Sequence, residues 1–259
     1  MSIRGPLEPS PDSIALANRA MWKTFVDSIP GAWMTEGDGA DAIVTGLPLS
    51  SQNGVWATRP DVPASVVAGL LDHVAATGLP HLLALRGDTA PDVIDVARGR
   101  GMTLSGEEPA MILRDTATIV TAARVPHLSI REIGPGEGAL HAAVAGSVFD
   151  VAPETFEQLM NPRALAVPGI RCYVGEAGGE TGVTGVGVTL LGTTAVFSVA
   201  TLPEQRRRGF GTAVTARAVA DGLASGATWA WLHSSETGYR VYERLGFRTV
   251  ETASFWSAG

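Results

Sequence analysis

Residues 201–212 read Thr-Leu-Pro-Glu-Gln-Arg-Arg-Arg-Gly-Phe-Gly-Thr, with three arginines and two glycines between Arg206 and Gly211. The preceding residues have the pattern of a strand, and those from Thr212 onward have the pattern of a helix. Glycine lets main-chain N–H groups approach an anion closely, and a helix N-terminus adds unpaired donors and a positive dipole end. The stretch therefore predicts a loop that binds a pyrophosphate-sized ligand. The alternative is a glycine-containing turn with solvated arginines.

The segments around this loop alternate between strand and helix patterns. Pro203 ends the strand before the loop because proline has no N–H group for the ladder. Gly226 and Gly246 stand where the glycines that end helices are found. The predicted elements are strands at 171–177, 183–191, 195–201 and 228–232, helices at 212–224 and 238–245, and an extended segment at 248–256.

The N-terminal part repeats the order of the last helices and strands predicted for the C-terminal part. Its predicted elements are helices at 64–76 and 91–98 and strands at 81–85 and 110–113. The separation in sequence between Gly78 and Gly226 is nearly the same as that between Gly101 and Gly246. This nearly constant offset predicts two related halves, although any two α/β units can share such an order. The predicted boundaries are a domain at 1–115, a linker at 116–126 and a domain at 127–259.

Composition excludes several classes of protein. Apolar residues make up 45% of the 259, which is enough for a large core, and the formal net charge is −7. Such an acidic chain lacks the basic footprint of a nucleic-acid-binding protein. The single cysteine, Cys172, allows no internal disulfide and is expected to be a buried structural thiol. No apolar run is long enough to cross a membrane. We expect a cytoplasmic protein that has no secretory signal and binds no metal.

The loop and its surroundings resemble the GNAT superfamily of N-acetyltransferases. The family's acetyl-CoA loop has the form Gln/Arg-x-x-Gly-x-Gly/Ala, which Arg206, Gly209 and Gly211 match. Family members also carry a tyrosine four residues before a Gly-Phe pair, and here Tyr242 precedes Gly246-Phe247. The resemblance implies an α/β (α+β) chain of two GNAT-like domains, each a mixed, mostly antiparallel sheet flanked by helices.

The resemblance also implies a set of cofactor-binding residues. Main-chain amides of the loop would hold the pyrophosphate of acetyl-CoA, and the strand before it would bind the pantetheine arm and polarise the thioester carbonyl. Ser235 stands where many family members have an asparagine that contacts this arm. The implied residues are Val199, Ala200, Thr201, Arg206, Arg207, Arg208, Gly209, Phe210, Gly211, Thr212, Ser235 and Tyr242.

The implied reaction is direct transfer of an acetyl group to a primary amine, with Tyr242 as the general acid that protonates the departing thiolate. A general base is also expected, and the candidates are Glu176, Glu236 and Glu154, each of which could also be an ordinary surface carboxylate. The acceptor would be a small-molecule or peptide amine, and a homodimer is left open. The alternative function is a non-catalytic acyl-CoA-binding regulatory module.

The N-terminal half differs from this pattern at one point. The segment that corresponds to the loop, Thr58–Pro63, contains no glycine. Without glycine its main chain cannot approach a pyrophosphate in the same way. We therefore predict a degenerate GNAT-like N-terminal half and one CoA site per chain.

Trp229 and Trp231 of the C-terminal half are expected to be core residues, and one of them could line the acceptor cleft.

Overall fold

The computed structural model describes residues 7–115, 119 and 124–258, so most of the predicted linker lies outside the described residues. By their contacts the residues fall into two compact units. The C-unit holds the described residues of Met1–Ser10 and Met111–Arg248, and the N-unit holds those of Pro11–Ala110 and Thr249–Gly259. These units differ from the contiguous ranges predicted from the sequence, because the C-terminal residues from Thr249 group with the N-unit and the C-unit begins again at Met111.

The strands of the N-unit form a mixed sheet. Strands β1, β2 and β3 are antiparallel, β3 then pairs with β4 in parallel, and β4 pairs with β11 in antiparallel register from Ala253↔Arg86 to Ser257↔Leu82. The strands are β1 (Trp33–Glu36), β2 (Ala40–Val44), β3 (Asn53–Ala57), β4 (Leu82–Arg86), β5 (Met102–Leu113, up to Ala110 in this unit) and β11 (Arg248–Ala258).

Three helices belong to the N-unit, namely α1 (Pro11–Ser28), α2 (Ala64–Ala75) and α3 (Pro91–Gly99). Helix α2 buries Val67, Leu71 and Val74, which recur at helical spacing, against strands β2 and β3. The unit thus has its own apolar core.

The strands of the C-unit repeat this arrangement. Strands β6 to β9 are antiparallel neighbours in chain order, and β9 pairs with β10 in parallel. They are β6 (Ser129–Ile133), β7 (Ile170–Ala177), β8 (Glu180–Leu190), β9 (Thr193–Thr201) and β10 (Trp229–His233). The predicted strands in this region are confirmed, with β8 beginning slightly earlier than predicted.

The described helices of the C-unit are α4 (Gly138–Phe149), α5 (Pro153–Leu159), α6 (Pro162–Leu165), α7 (Phe210–Ala224) and α8 (Tyr239–Arg244). Helix α7 packs on β8 and β9 through Ala218, Val219 and their neighbours. The contact with β9 is so close that a Cβ atom on Gly222 would collide with Thr194. Glycine is therefore required at this crossing, and it fixes how α7 lies on the sheet that carries the loop.

The two halves share an order of elements at a steady offset along the chain. Helix α2, strand β4 and helix α3 follow one another in the N-unit as α7, β10 and α8 do in the C-unit, with nearly equal separations between the corresponding starts. The mixed sheets flanked by helices confirm the predicted fold class, while the loss of function of the N-terminal half stays a prediction. Within the described part of the chain, no helix is long and apolar enough to cross a membrane.

Candidate functional site

Strands β9 and β10 separate from each other next to the loop. They are in parallel register from Trp229↔Thr193 to Trp231↔Ala195, and among the described residues no pair follows. Strand β9 continues to Thr201 and β10 to His233. The register between β9 and β10 therefore ends at Ala195, and a ligand arm that pairs with a strand needs such an end of the strand pairing.

A bulge lies within the separated part of β9. The register with β8 passes from Phe197↔Val186 to Ala200↔Thr184, so two residues of β9 oppose one residue of β8. Ser198 has a positive φ of 52°, which few residues other than glycine adopt. Bulges of this kind bend a strand and change the direction of its side chains, and they are frequent beside active sites.

The loop after β9 presents unpaired main-chain donors. Gly209 has φ 81° and stands immediately before α7, so the main chain enters the helix through a left-handed residue. Within the described part of the chain, no N–H group from Arg207 to Thr212 donates to a protein acceptor. Because the residues from Arg206 to Gly209 are exposed, these donors and the positive end of α7 can reach an anion.

The arginine side chains of the loop have different roles. Arg206 donates from Nε to the main-chain oxygen of Thr201 at 3.1 Å and so ties the loop to the end of β9. Arg208 donates to Gln205 and lies with Cζ 4.7 Å from the centre of the Phe210 ring. Arg207 is exposed and has φ 61°. Arg206 and Arg208 thus stabilise the loop, whereas Arg207 extends from it.

Tyr242 lies on α8 and packs against the apolar core of the C-unit. Val199 and Phe210 belong to the same packed group, so the structure brings the tyrosine, the bulged strand and the loop to one cluster. The ring of Tyr242 stands edge-on to Phe247 with 6.1 Å between ring centres. It also covers Gly238, where a Cβ atom would come within 2.9 Å of Tyr242 Cε2. These contacts fix the ring.

Ser235 lies in the turn that leads from β10 into α8. Its Oγ accepts a hydrogen bond from the Gly238 N–H at 3.3 Å and lies 3.2 Å from Thr237 Oγ1. The hydroxyl therefore stabilises the start of α8. Contact with the pantetheine arm stays a prediction for this exposed residue.

The candidate bases are spread over the C-unit. Glu176 lies on β7, which β8 separates from β9, and its carboxylate is 3.6 Å from Nε of Arg131. Glu236 is exposed in the turn before α8, and Glu154 is exposed in the first turn of α5. The structure thus gives Glu176 an ion-pair partner. Among the described residues, no contact joins any two of these three glutamates. Their roles as bases stay predictions.

A buried polar chain next to the bulge is the feature that sequence reasoning missed. Ser198 Oγ lies 3.3 Å from His141 Nε2, and His141 Nδ1 lies 2.8 Å from Thr184 Oγ1. Thr184 in turn donates to the Tyr173 main-chain oxygen at 2.7 Å. Ser198 and His141 are 57 residues apart, so no local spacing connects them, and only the folding of α4 onto β8 and β9 brings them together.

Two further expectations concern Cys172 and the tryptophans. Cys172 is fully buried, and burial raises the pKa of its thiol to about 12, so it is an unreactive structural thiol as predicted. Trp229 and Trp231 are both buried core residues. Trp229 Nε1 donates to the Leu7 main-chain oxygen at 2.6 Å, whereas Trp231 Nε1 has no partner among the described residues.

Comparison with known proteins identifies the domain that this site belongs to. Residues 168–249 match the acetyltransferase (GNAT) domain, and this range contains the bulged strand, the loop and Tyr242. No curated protein sequence is significantly similar to the chain. Residues 168–249 are thus similar to a GNAT acetyltransferase domain, and this match supports acyl-CoA-dependent acyl transfer in general.

Solved structures show the same fold over most of the chain. A GCN5-related N-acetyltransferase from Kribbella flavida is 22% identical with a TM-score of 0.69, covering 94% of this chain and 95% of its own. A tandem GNAT protein from the clavulanic acid biosynthesis pathway is 16% identical with a TM-score of 0.58, covering 98% and 90%. A GCN5-related N-acetyltransferase from Sphaerobacter thermophilus is 14% identical with a TM-score of 0.56, covering 85% and 80%. At these identities the likeness establishes the GNAT fold.

Proposed function

We propose that the protein is an acetyl-CoA-dependent N-acetyltransferase that acts on a primary amine. The observation that carries this proposal is the row of unpaired N–H groups from Arg207 to Thr212 at the start of α7. Several main-chain donors and a helix N-terminus that converge on exposed space suit a diphosphate. The residues of the loop therefore fit coenzyme A, and the separated strands β9 and β10 fit its pantetheine arm.

The transfer would proceed by direct attack of the amine on the thioester. A main-chain N–H group of β9 near the bulge would donate to the thioester carbonyl and stabilise the negative charge that develops on its oxygen. Tyr242 would give its phenol proton to the sulfur as the C–S bond breaks, because an ordinary phenol is protonated at neutral pH. Coenzyme A and an amide would leave.

The class of acceptor amine is proposed from the net charge of the chain. The formal net charge of −7 favours cationic acceptors, since an acidic protein raises their local concentration. Polyamines, aminoglycosides and lysine side chains are the classes that this argument selects. They form the panel for the assay.

The experiment is a panel of these amines with acetyl-CoA, followed by the release of free thiol and by mass spectrometry of the amide. We expect the Tyr242→Phe variant to lower kcat by roughly 100-fold or more while the Kd for CoA stays within about threefold of the wild type. Unchanged turnover in this variant would remove the proposed acid. CoA binding without turnover of any amine would favour the alternative, a non-catalytic acyl-CoA-binding module.

A further inference from the structure

Ser198 occupies a position on β9 that is costly for a residue with a side chain. Its φ of 52° is left-handed, and glycine would adopt it more easily. Residues held in such conformations are concentrated at functional sites, where the surrounding structure maintains them. Ser198 is half-buried, while Val199, its neighbour in the bulge, packs into the core with α7. The hydroxyl of Ser198 instead meets His141 of α4.

The partners of Thr184 and His141 determine which group donates in each hydrogen bond of this chain. Thr184 uses its single hydroxyl proton for the Tyr173 main-chain oxygen, so its Oγ1 must accept from His141. His141 therefore carries a proton on Nδ1. In a neutral imidazole with Nδ1–H, Nε2 is an acceptor, and so the Ser198 hydroxyl donates to it. The result is a serine hydroxyl that donates to a histidine whose tautomer is fixed by a third group.

The surroundings of His141 keep this imidazole neutral. The side chain is fully buried, and Phe156 meets its ring edge-on with 5.8 Å between ring centres. Burial lowers the pKa of His141 to about 4, so Nε2 is unprotonated at neutral pH and can accept the hydrogen bond of the Ser198 hydroxyl.

We propose that Ser198 and His141 form a proton relay that deprotonates the acceptor amine, a role that none of the sequence-predicted carboxylates needs to fill. This inference rests on the proposed transferase function. Ser198 would contact the amine, and His141 would act through Ser198. The bulge would serve to present the hydroxyl on the opposite face of the sheet from α7.

Each proton and electron pair in this step has a destination. The amine nitrogen forms a bond to the thioester carbon while the π pair of the carbonyl moves onto oxygen, and this pair re-forms the carbonyl when the C–S bond breaks. One N–H proton passes to Ser198 Oγ while the serine proton passes to His141 Nε2. The C–S bond then breaks, its electron pair leaves on sulfur, and sulfur takes the Tyr242 proton. The imidazolium then returns its proton to Ser198, whose own proton passes to solvent, and the Tyr242 phenolate takes a proton from solvent, which restores all three groups.

The test compares kinetics of the full-length wild type with those of Ser198→Gly, His141→Gln and a control, Thr189→Val. The glycine variant removes the hydroxyl and adopts the left-handed backbone of this position without steric cost, so its fold is retained. The control removes another hydroxyl contact between β8 and β9, the 3.1 Å pair of Thr189 and Thr194, at a distance from His141 along the strands. The substrates are acetyl-CoA with spermidine, kanamycin and Nα-acetyl-lysine.

We expect Ser198→Gly and His141→Gln to lower kcat by about 30-fold or more, with the acetyl-CoA KM within about threefold of wild type and Thr189→Val unaffected. A merely structural role would instead raise KM, because β9 also holds the coenzyme. Full turnover in Ser198→Gly would overturn the relay alone, whereas a wild type that acetylates none of the amines would contradict the transferase proposal itself.

Two measurements test the relay without amine turnover. The ¹⁵N shifts of His141 should show the neutral Nδ1–H tautomer at neutral pH, and an Nε2–H tautomer or an imidazolium would overturn the relay. The intact mass of the protein incubated with acetyl-CoA alone should remain unchanged. A stable acetyl group on Ser198 would mean that this hydroxyl is a nucleophile and would also overturn the relay.

Discussion

Gly211 in the first turn of α7 lies against Thr201 at the end of β9: a Cβ atom on this glycine would be 3.5 Å from Thr201 Oγ1 and 3.8 Å from Val199 Cγ1. Both are ordinary van der Waals distances, so the protein itself has room for one methyl group here. Larger side chains would extend further into the space between helix and strand, where the diphosphate and the pantetheine arm are proposed to bind.

The first prediction distinguishes an effect on stability from an effect on CoA binding at Gly211. Gly211→Ala should retain CoA binding and raise the free energy of unfolding by roughly 0.5–1 kcal/mol, since alanine favours a helix over glycine. Gly211→Val should stay folded but lose CoA affinity by about 30-fold or more through steric overlap with the ligand. Calorimetric CoA titration with thermal unfolding checks both. Equal CoA affinity in the valine variant would place the ligand elsewhere.

Gly209 provides the matched comparison within the same loop. Its φ of 81° disfavours any side chain, so Gly209→Ala should lower the free energy of unfolding by about 1–2 kcal/mol and weaken CoA binding as well. Urea unfolding and the same titration measure the two effects. A Gly209→Ala variant that is as stable as the wild type would contradict the left-handed geometry of the loop.

The second prediction concerns the placement of Tyr242. A Cβ atom on Gly238 would come within 2.9 Å of the tyrosine ring, which must then move. Gly238→Ala should lower kcat by about tenfold or more and leave the Kd for CoA nearly unchanged, because a displaced acid loses its alignment with the sulfur. Steady-state kinetics with acetyl-CoA measures this. A variant with full kcat would show that the ring position does not matter for the reaction.

The third prediction removes the diphosphate from the substrate instead of changing the protein. Acetyl-pantetheine keeps the thioester and the arm but has no group for the donors of the loop. Its kcat/KM should be lower than that of acetyl-CoA by a factor of about 100 or more, since binding energy distant from the reacting atoms is lost. Similar kcat/KM values for the two donors would exclude a role of the loop in recognition.

The fourth prediction follows from the buried imidazole of His141. Its pKa in the folded state is about 4, below the ordinary value near 6.5. The unfolded chain therefore binds more protons between these values, and the free energy of unfolding should fall as the pH drops from about 6.5 to 4, by roughly 3 kcal/mol from this group. His141→Gln should lack this component. Urea unfolding of both proteins across this pH range measures the difference between their free energies of unfolding, from which the contribution of the carboxylates cancels. Identical pH profiles of the two proteins would contradict the assignment.

The parts of the fold that the sequence predicts are those with strong local signals. The glycines at 226 and 246 mark the ends of helices, and alternating apolar residues mark β7 to β10, so these elements are found within a few residues of their predicted positions. The patterns predict neither α1 nor strands β1 to β3. The grouping of β11 with the N-unit could not be predicted, because a strand pattern contains no information about which partner the strand will pair with.

The candidate site also has one part that the sequence predicts and one part that only the fold brings together. The loop from Arg206 to Thr212 is contiguous in the sequence, and its ligand can be argued from the types and spacing of its residues. The contact of Ser198 with His141 joins residues that only the sheet and α4 bring together, and the positive φ of Ser198 is a property of the bulge and not of the residue. A lone histidine without ligand spacing therefore gave no signal.

The most direct test of the central claim is to follow the main-chain amide ¹H and ¹⁵N resonances of the full-length protein while CoA is added. We expect the largest shifts at Arg207 to Thr212, because these N–H groups change from water to phosphate oxygens as acceptors. A titration in which these amides keep their positions, while others move or none do, would contradict the binding of the diphosphate at this loop.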